Sequence, residues 1–228
     1  ELRLSDNLRV FFRDAGHILG SAILEVYVKE NGKETKLVFS GDLGQPNQPI
    51  LRDPTIIHGA DFVITESTYG DRLHQLYDKE TALIEIVNET MDRGGNLIIP
   101  SFAVGRTQTL LYYFYRLHCE GRLDPDIPII IDSPLAINET RVFLKNFRDF
   151  DEESLKVFGK NGKVPDFSQV HLCETAAESR ALNSSEGSAI IISASGMADA
   201  GRVLHHLKHN LWRPESTILF VGYQAEGC

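Results

Sequence analysis

Short apolar runs separated by polar loops dominate the first third of the chain. LRVFFR (8–13), AILEVYV (22–28) and KLVFS (36–40) read as strands, with ENGKE (30–34) as a hairpin turn and DFVIT (61–65) as a further short strand. After about residue 72 the rhythm changes. KETALIEIVNETMDR (79–93) has helical spacing and is stopped by Gly94-Gly95, and GRTQTLLYYFYRLH (105–118) is a second helix. Further helices are expected over 138–148 and 199–211. Between them lie continuous apolar strands: NLIIP (96–100), PIIID (128–132), SAIIIS (188–193) and STILFVG (216–222). A strand that is apolar throughout is buried on both faces, so strands of this kind alternating with helices predict an α/β fold with a mostly parallel sheet. The more polar segment 150–186 resists assignment, and no repeat or low-complexity stretch occurs.

Composition narrows the class. The 228 residues, 42% hydrophobic and 24% charged, describe an ordinary globular protein with room for one large or two ordinary domains. No apolar run approaches the roughly 20 residues of a membrane-spanning helix, and ELRLSDNLRV lacks the basic and apolar regions of a signal peptide. No membrane partner is expected. The chain starts without methionine, in the approach to a strand, and so reads as a piece of a longer protein. Cys119, Cys173 and Cys228 are far apart and form no CxxC pair, which indicates neither a disulfide framework nor a cysteine zinc site. A cytoplasmic location is the expectation. The net charge of −9 argues against a generic basic glove for nucleic acid. It leaves room for a focused basic patch, or for an acidic site neutralised by metal.

Four polar loops follow apolar strands: FSGDLG (39–44), TESTYGD (65–71), PSFAVGR (100–106) and SASGMADAGR (193–202). The carboxyl ends of strands are where open α/β sheets bind ligands. Taken singly, each candidate has an ordinary structural explanation beside the chemical one. Asp42, between two glycines, suits a turn or a carboxylate ligand. Glu66 suits a cap or a catalytic acid, and His17 in RDAGHILGSAILEV (13–26) suits a hydrogen-bonded loop histidine or a metal ligand. His205, His206 and His209 lie on a helix without an H-E-x-x-H pattern and are expected on a solvated face. Ser101, Gly105 and Arg106 open a helix, where backbone N–H groups, the helix dipole and a forked guanidinium attract phosphate. Ser193, Ser195 and Gly196 repeat that arrangement, and plain N-capping accounts for either loop equally well.

In order along the chain, DAGHILGSA, FSGDLG, ESTYGDR, IIPSFAVGRTQ, IIIDSPLA, ISASGMADAGR and GYQAEG resemble the β-CASP branch of the metallo-β-lactamase superfamily, above all its RNA-cleaving members. The resemblance spans nearly the whole chain. It implies part of a metallo-β-lactamase αββα sandwich in residues 1–71, the C-terminal portion of that domain's first segment. Residues 72–228 would be the inserted, Rossmann-like β-CASP domain. It also implies two zinc ions: His17 matches a ligand of one zinc, Asp42 a bridge between both, and Glu66 an acid of the catalytic network. Imidazole and carboxylate are good zinc ligands. Two zincs roughly 3.5–4 Å apart can hold a hydroxide and steady the attacking and leaving oxygens of phosphodiester hydrolysis. RNA is the implied partner, held by helix N-termini and Arg106; the oligomeric state is open, with a homodimer one possibility because relatives often dimerise.

Two departures matter. The family's main metal motif, H-x-H-x-D-H, is nowhere in the chain, and neither are the later histidine motifs that follow GYQAEG. The resemblance therefore implies either a fragment of a zinc-dependent ribonuclease (endonucleolytic, with 5′→3′ exonuclease activity open) or a non-catalytic RNA-binding or scaffold paralogue. A DNA-cleaving member of the family is a further alternative, because the position that marks RNA preference is missing. Retention of His17, Asp42 and Glu66 together favours the active enzyme. By itself the polypeptide is expected to bind zinc weakly, to leave RNA uncut and to expose apolar surface. The absence of G-x-G-x-x-G and P-loop patterns weighs against a nucleotide-binding enzyme.

Overall fold

The computed structural model describes residues 1–73, 77–158, 167–184 and 187–227. Two compact units emerge, Glu1–Gln75 with Arg148–Leu155, and Leu76–Phe147 with Lys156–Cys228.

In the first unit, β1 (Leu2–Ser5), β2 (Leu8–Asp14), β3 (Ala22–Glu30), β4 (Lys33–Phe39) and β5 (Phe62–Ile64) form one sheet in chain order. All pairs are antiparallel except β4 with β5. Asn31 and Gly32 both take positive φ and turn β3 into β4, as an Asn-Gly hairpin requires. The register places Phe12, Leu24, Phe39 and Ile64 in one row and Val10, Val26, Leu37 and Phe62 in the next, on the same face. Phe12, Phe62 and Ile64 on that face are exposed. The opposite face carries Ile23 and Val38, packed with Ala15. It also carries buried Glu25, which accepts hydrogen bonds from Arg13 Nε (2.6 Å) and Tyr27 Oη (3.2 Å) and pairs with Lys36 Nζ at 2.5 Å. A contiguous first domain of residues 1–71 leaves out the segment 148–155. Ile50 N donates to Ser154 Oγ (2.9 Å), and Asp151 N to Ile50 O (3.0 Å).

The remaining α-helices and strands are α1 (Lys79–Asp92), β6 (Leu97–Pro100), α2 (Arg106–Cys119), β7 (Ile129–Ile131), α3 (Pro134–Lys145), α4 (Glu152–Phe158), β8 (Val170–Leu172), α5 (Ala176–Leu182), β9 (Ile190–Ser193), α6 (Val203–Asn210) and β10 (Thr217–Ile218). The second sheet is wholly parallel, in the order β10-β6-β9-β7-β8. Strands β6, β7 and β9 are buried at every position, as their unbroken apolar sequences predict. Alternate residues serve opposite faces. Leu97, Ile99, Ile129, Ile190 and Ile192 pack with Val87 of α1 and with Leu110, Phe114 and Leu117 of α2. Ile98, Ile130 and Ile191 pack with Cys173, Leu182 and Leu207 on the other side. The protein is thus a mixed α/β fold with a parallel sheet. Among the described residues, no helix is long and apolar enough to cross a membrane.

Several elements differ from expectation. Strand β10 is two residues, not the seven of STILFVG, because Pro100 has no N–H to continue the ladder after Leu219 N bonds Ile98 O. Helix α3 starts at Pro134 rather than 138. Ser133 caps it by accepting from Ala136 N, and proline suits the first helical position. Helix α6 starts at 203 rather than 199, because Gly201 takes φ +82 and sits where a Cβ would lie 2.4 Å from Ala194 O. The unassigned segment 150–186 contains α4, β8 and α5, the last with a Thr175–Glu178 capping box; residues 159–166 and 185–186 lie outside the described residues.

Candidate metal centre and phosphate-facing loops

Glycine packing brings the first set of candidates together. His17 lies in the loop between β2 and β3, held by Ser21, whose Oγ accepts from His17 N (3.1 Å) and Ile18 N (3.3 Å). The Asp42 loop lies directly on it. Gly44 N donates to Ala15 O at 2.9 Å, and a Cβ on Gly44 would stand 1.7 Å from Gly16 O. Only glycine permits that approach. His17 Nε2 consequently sits 3.9 Å from Asp42 Oδ2, with side chains 44% and 74% exposed. Glu66, just beyond β5, clasps the same loop from another side. Its Oε1 accepts from Leu43 N (2.9 Å), its Oε2 from Thr68 N (3.3 Å), and its own N–H reaches Ser40 Oγ (3.2 Å). The Leu43 N–H first, then Thr68, hold the Glu66 carboxyl below the usual carboxylate range, and His17 adds to this.

One imidazole and one carboxylate, open to solvent and 3.9 Å apart, fit a shared metal ion with little adjustment, since bonds of about 2.0–2.2 Å place two donors roughly 3.4 Å apart at a tetrahedral angle. They make a partial shell. Among the described residues, no group of three or more His, Cys, Asp or Glu side chains is arranged to hold a metal.

The second set lies at the carboxyl edge of the parallel sheet. Gly105, at φ +78, precedes α2 without a side-chain cap, and half-buried Arg106 is its first residue. Burial, with the Arg106 guanidinium as a second cause, holds the Lys79 ammonium below its ordinary range, so two cations share this corner. The hydroxyls of Ser101 and Ser193, expected to face phosphate, turn inward in the structure. Each residue is 1% exposed; Ser101 Oγ contacts Thr107 Oγ1 (3.1 Å), and Ser193 Oγ donates to Asp132 O (2.9 Å). Gly196 is buried as well. A Cβ there would meet Phe102 at 2.7 Å, and its carbonyl accepts Gln224 Nε2 at 2.8 Å. Ser195 is half-buried and its hydroxyl donates to Asp199. Main-chain contacts join the two loops, Ser101 N donating to Ser193 O at 2.9 Å.

His206 also departs from expectation. It is 1% exposed, and its Nε2 donates to the Asp132 carboxylate at 2.6 Å. The spacing of Val203, His206 and Asn210, all buried on α6, marks it as an inward position, whereas His205 is exposed and His209 is bonded to His205 O on the outer side. Asp132 itself escaped the sequence reading as a candidate. A charged residue closing the otherwise apolar PIIID was the signal for it.

The chain thus joins a parallel α/β sheet, with loops gathered at its carboxyl edge, in sequence to a strand-rich unit carrying a histidine–carboxylate pair. A family model described as a Beta-Casp domain matches residues 107–228, more than half of the chain, and the chain belongs to the β-CASP family. It is similar to ribonuclease TTHA0252 of Thermus thermophilus, with 40% identity over 224 residues, covering 96% of this chain and 50% of that protein. It is also similar to an RNase J-like protein of Methanocaldococcus jannaschii (35% over 231 residues, 100% and 52%). A third relative, transcription termination factor FttA of Methanosarcina mazei, is 30% identical over 230 residues, 98% of this chain and 35% of that protein. The chain spans about half the length of the first two relatives.

Proposed function

We propose that this chain is part of a zinc-dependent ribonuclease that hydrolyses RNA phosphodiester bonds. The observation that carries this reading is the convergence of His17, Asp42 and Glu66 from three separate loops, with His17 Nε2 3.9 Å from Asp42 Oδ2. His17 and Asp42 would hold metal, with the remaining ligands supplied from outside this stretch of sequence. Bound zinc would supply Lewis acidity and an activated water. The residues present contribute orientation. Glu66, through Leu43 N and Thr68 N, fixes the loop that carries Asp42, and the Gly16–Gly44 contact fixes the distance to His17. Arg106, a forked donor at the start of α2, would hold a phosphate of the RNA backbone. The names of the ribonuclease and RNase J-like relatives support RNA as the substrate.

The test is cleavage of a labelled single-stranded RNA by the full-length protein, before and after removal of metal with a chelator and again after zinc is restored. Loss and recovery of cleavage support the proposal. Cleavage that survives complete metal removal overturns it.

A further inference from the structure

The loop of residues 193–202 is fastened at both ends to one buried residue. Asp132 directly follows β7 and is fully shielded from solvent. Its main-chain oxygen accepts the Ser193 hydroxyl at 2.9 Å, where the loop begins. Its Oδ1 accepts Arg202 Nη1 at 2.6 Å, where the loop ends. Arg202 is held in turn by the carbonyls of Cys173 (3.0 Å from Nη1) and Glu174 (2.9 Å from Nη2). The other carboxylate oxygen is filled from outside the loop, by Ser179 Oγ of α5 and His206 Nε2 of α6, each at 2.6 Å.

Between these anchors the loop is closed on itself. Ser195 N donates to Ala200 O (3.1 Å) and Ala198 N to Ser195 O (3.3 Å). It is also joined to the loop that carries Arg106, through Ser101 N to Ser193 O and through Gly196 against Phe102. Any shift of Ser193 or Arg202 is therefore passed to both loops, because each contact is a direct hydrogen bond or a glycine packed without spare room.

From this we propose that Asp132 is a positioning residue, which holds the 193–202 loop by both ends and through it sets the placement of the Arg106 loop for the RNA backbone. The proposal rests on the ribonuclease reading. Ser179 provides the internal control: it bonds the same carboxylate but belongs to neither loop, so its loss costs stability without moving them.

The experiment compares Ser193→Ala, Arg202→Lys, Asp132→Asn and Ser179→Ala in the full-length protein, measuring KM and kcat on a labelled single-stranded RNA, bound zinc, and Tm. Ser193→Ala and Arg202→Lys are expected to raise KM about tenfold, more than they lower kcat, with zinc content unchanged. Ser179→Ala is expected to lower Tm and leave KM at the wild-type value. Asp132→Asn, if it folds, should raise KM at least as far, and adding Arg202→Lys to it should do no further harm. Should Asp132→Asn fail to fold, Ser193→Ala and Arg202→Lys decide the matter alone. Wild-type KM in those two variants overturns the inference, as does a rise in Ser179→Ala equal to theirs. A wild-type protein that neither binds nor cleaves RNA overturns the ribonuclease reading and this inference with it. Wild-type cleavage beside unaltered variants overturns this inference only.

Discussion

Gly44 is the tightest contact of the candidate metal centre, and alanine there tests whether loop packing makes the site. A Cβ on Gly44 would lie 1.7 Å from Gly16 O and 2.1 Å from Gly16 C. One loop must therefore retreat by more than about 1 Å to reach van der Waals distance. Gly44 is outside the left-handed region, so the perturbation is steric. Retreat strains the Gly44 N–Ala15 O bond, worth about 0.5–1.5 kcal/mol net. More consequentially, it widens the 3.9 Å separation of His17 and Asp42 beyond the roughly 4.4 Å that two bonds to one ion can span. A misplacement of about 1 Å at a reacting centre costs on the order of a hundredfold in rate. Full-length Gly44→Ala should thus retain its fold by circular dichroism, bind less zinc and cleave labelled RNA about a hundredfold more slowly. Gly32→Ala is the matched control: it meets nothing within 4 Å at φ +79, and its strain in the hairpin should leave cleavage unchanged. Wild-type zinc content and cleavage in Gly44→Ala would show that this contact does not set the ligand geometry.

Three further outcomes are expected. Arg106→Ala should weaken binding of single-stranded RNA by roughly tenfold in a filter-binding assay with zinc content intact; loss of zinc instead would place Arg106 in the metal centre. Burial alone would raise the Asp132 carboxyl, but hydrogen bonds from His206, Ser179, Arg202 and Cys173 outweigh it and hold the group well below the usual carboxylate range. A depressed carboxylate adds stability that is present above its unfolded value, about 3.9, and lost as pH falls through the folded one. Urea denaturation should accordingly show stability falling below about pH 4, with a shallower fall in Asp132→Asn; identical slopes would contradict this. In the first unit, Glu25→Gln breaks a buried group that Lys36 (2.5 Å) and Arg13 (2.6 Å) hold in charged form, and should cost about 3–5 kcal/mol in urea denaturation. An unchanged midpoint would show that the network adds no net stability.

A residue's role is legible in the sequence where that role is local. The strands LIIP, III and IIIS are legible because burial on both faces forbids polar residues, and α1 and α2 because their apolar periodicity is long. The loops carrying His17, Asp42 and Glu66 stood out as polar groups after apolar strands. Their convergence did not, because Gly16 and Gly44 look like turn residues and reveal their contact only in three dimensions. The inward position of His206 is hidden in sequence for a similar reason: its partner Asp132 is 74 residues away. Ser101 and Ser193 resemble caps or phosphate ligands, yet the hydroxyls turn inward, Ser101 to Thr107 in the first turn of α2 and Ser193 to the Asp132 carbonyl just after β7. Where the chain carried a local signal that went unused, as in the Ser133-Pro134 start of α3 or the missing donor of Pro100 beside β10, elementary chemistry suffices to explain the boundary.

Whether His17 and Asp42 are two ligands of a zinc centre that cleaves RNA is decided by metal analysis and RNA cleavage of the full-length protein beside its Asp42→Asn variant. Bound zinc and RNA cleavage are expected in the wild type, and a loss of both in Asp42→Asn, because a neutral amide is a weaker zinc ligand than a carboxylate. A variant that keeps its full zinc complement and cuts RNA at the wild-type rate would contradict it.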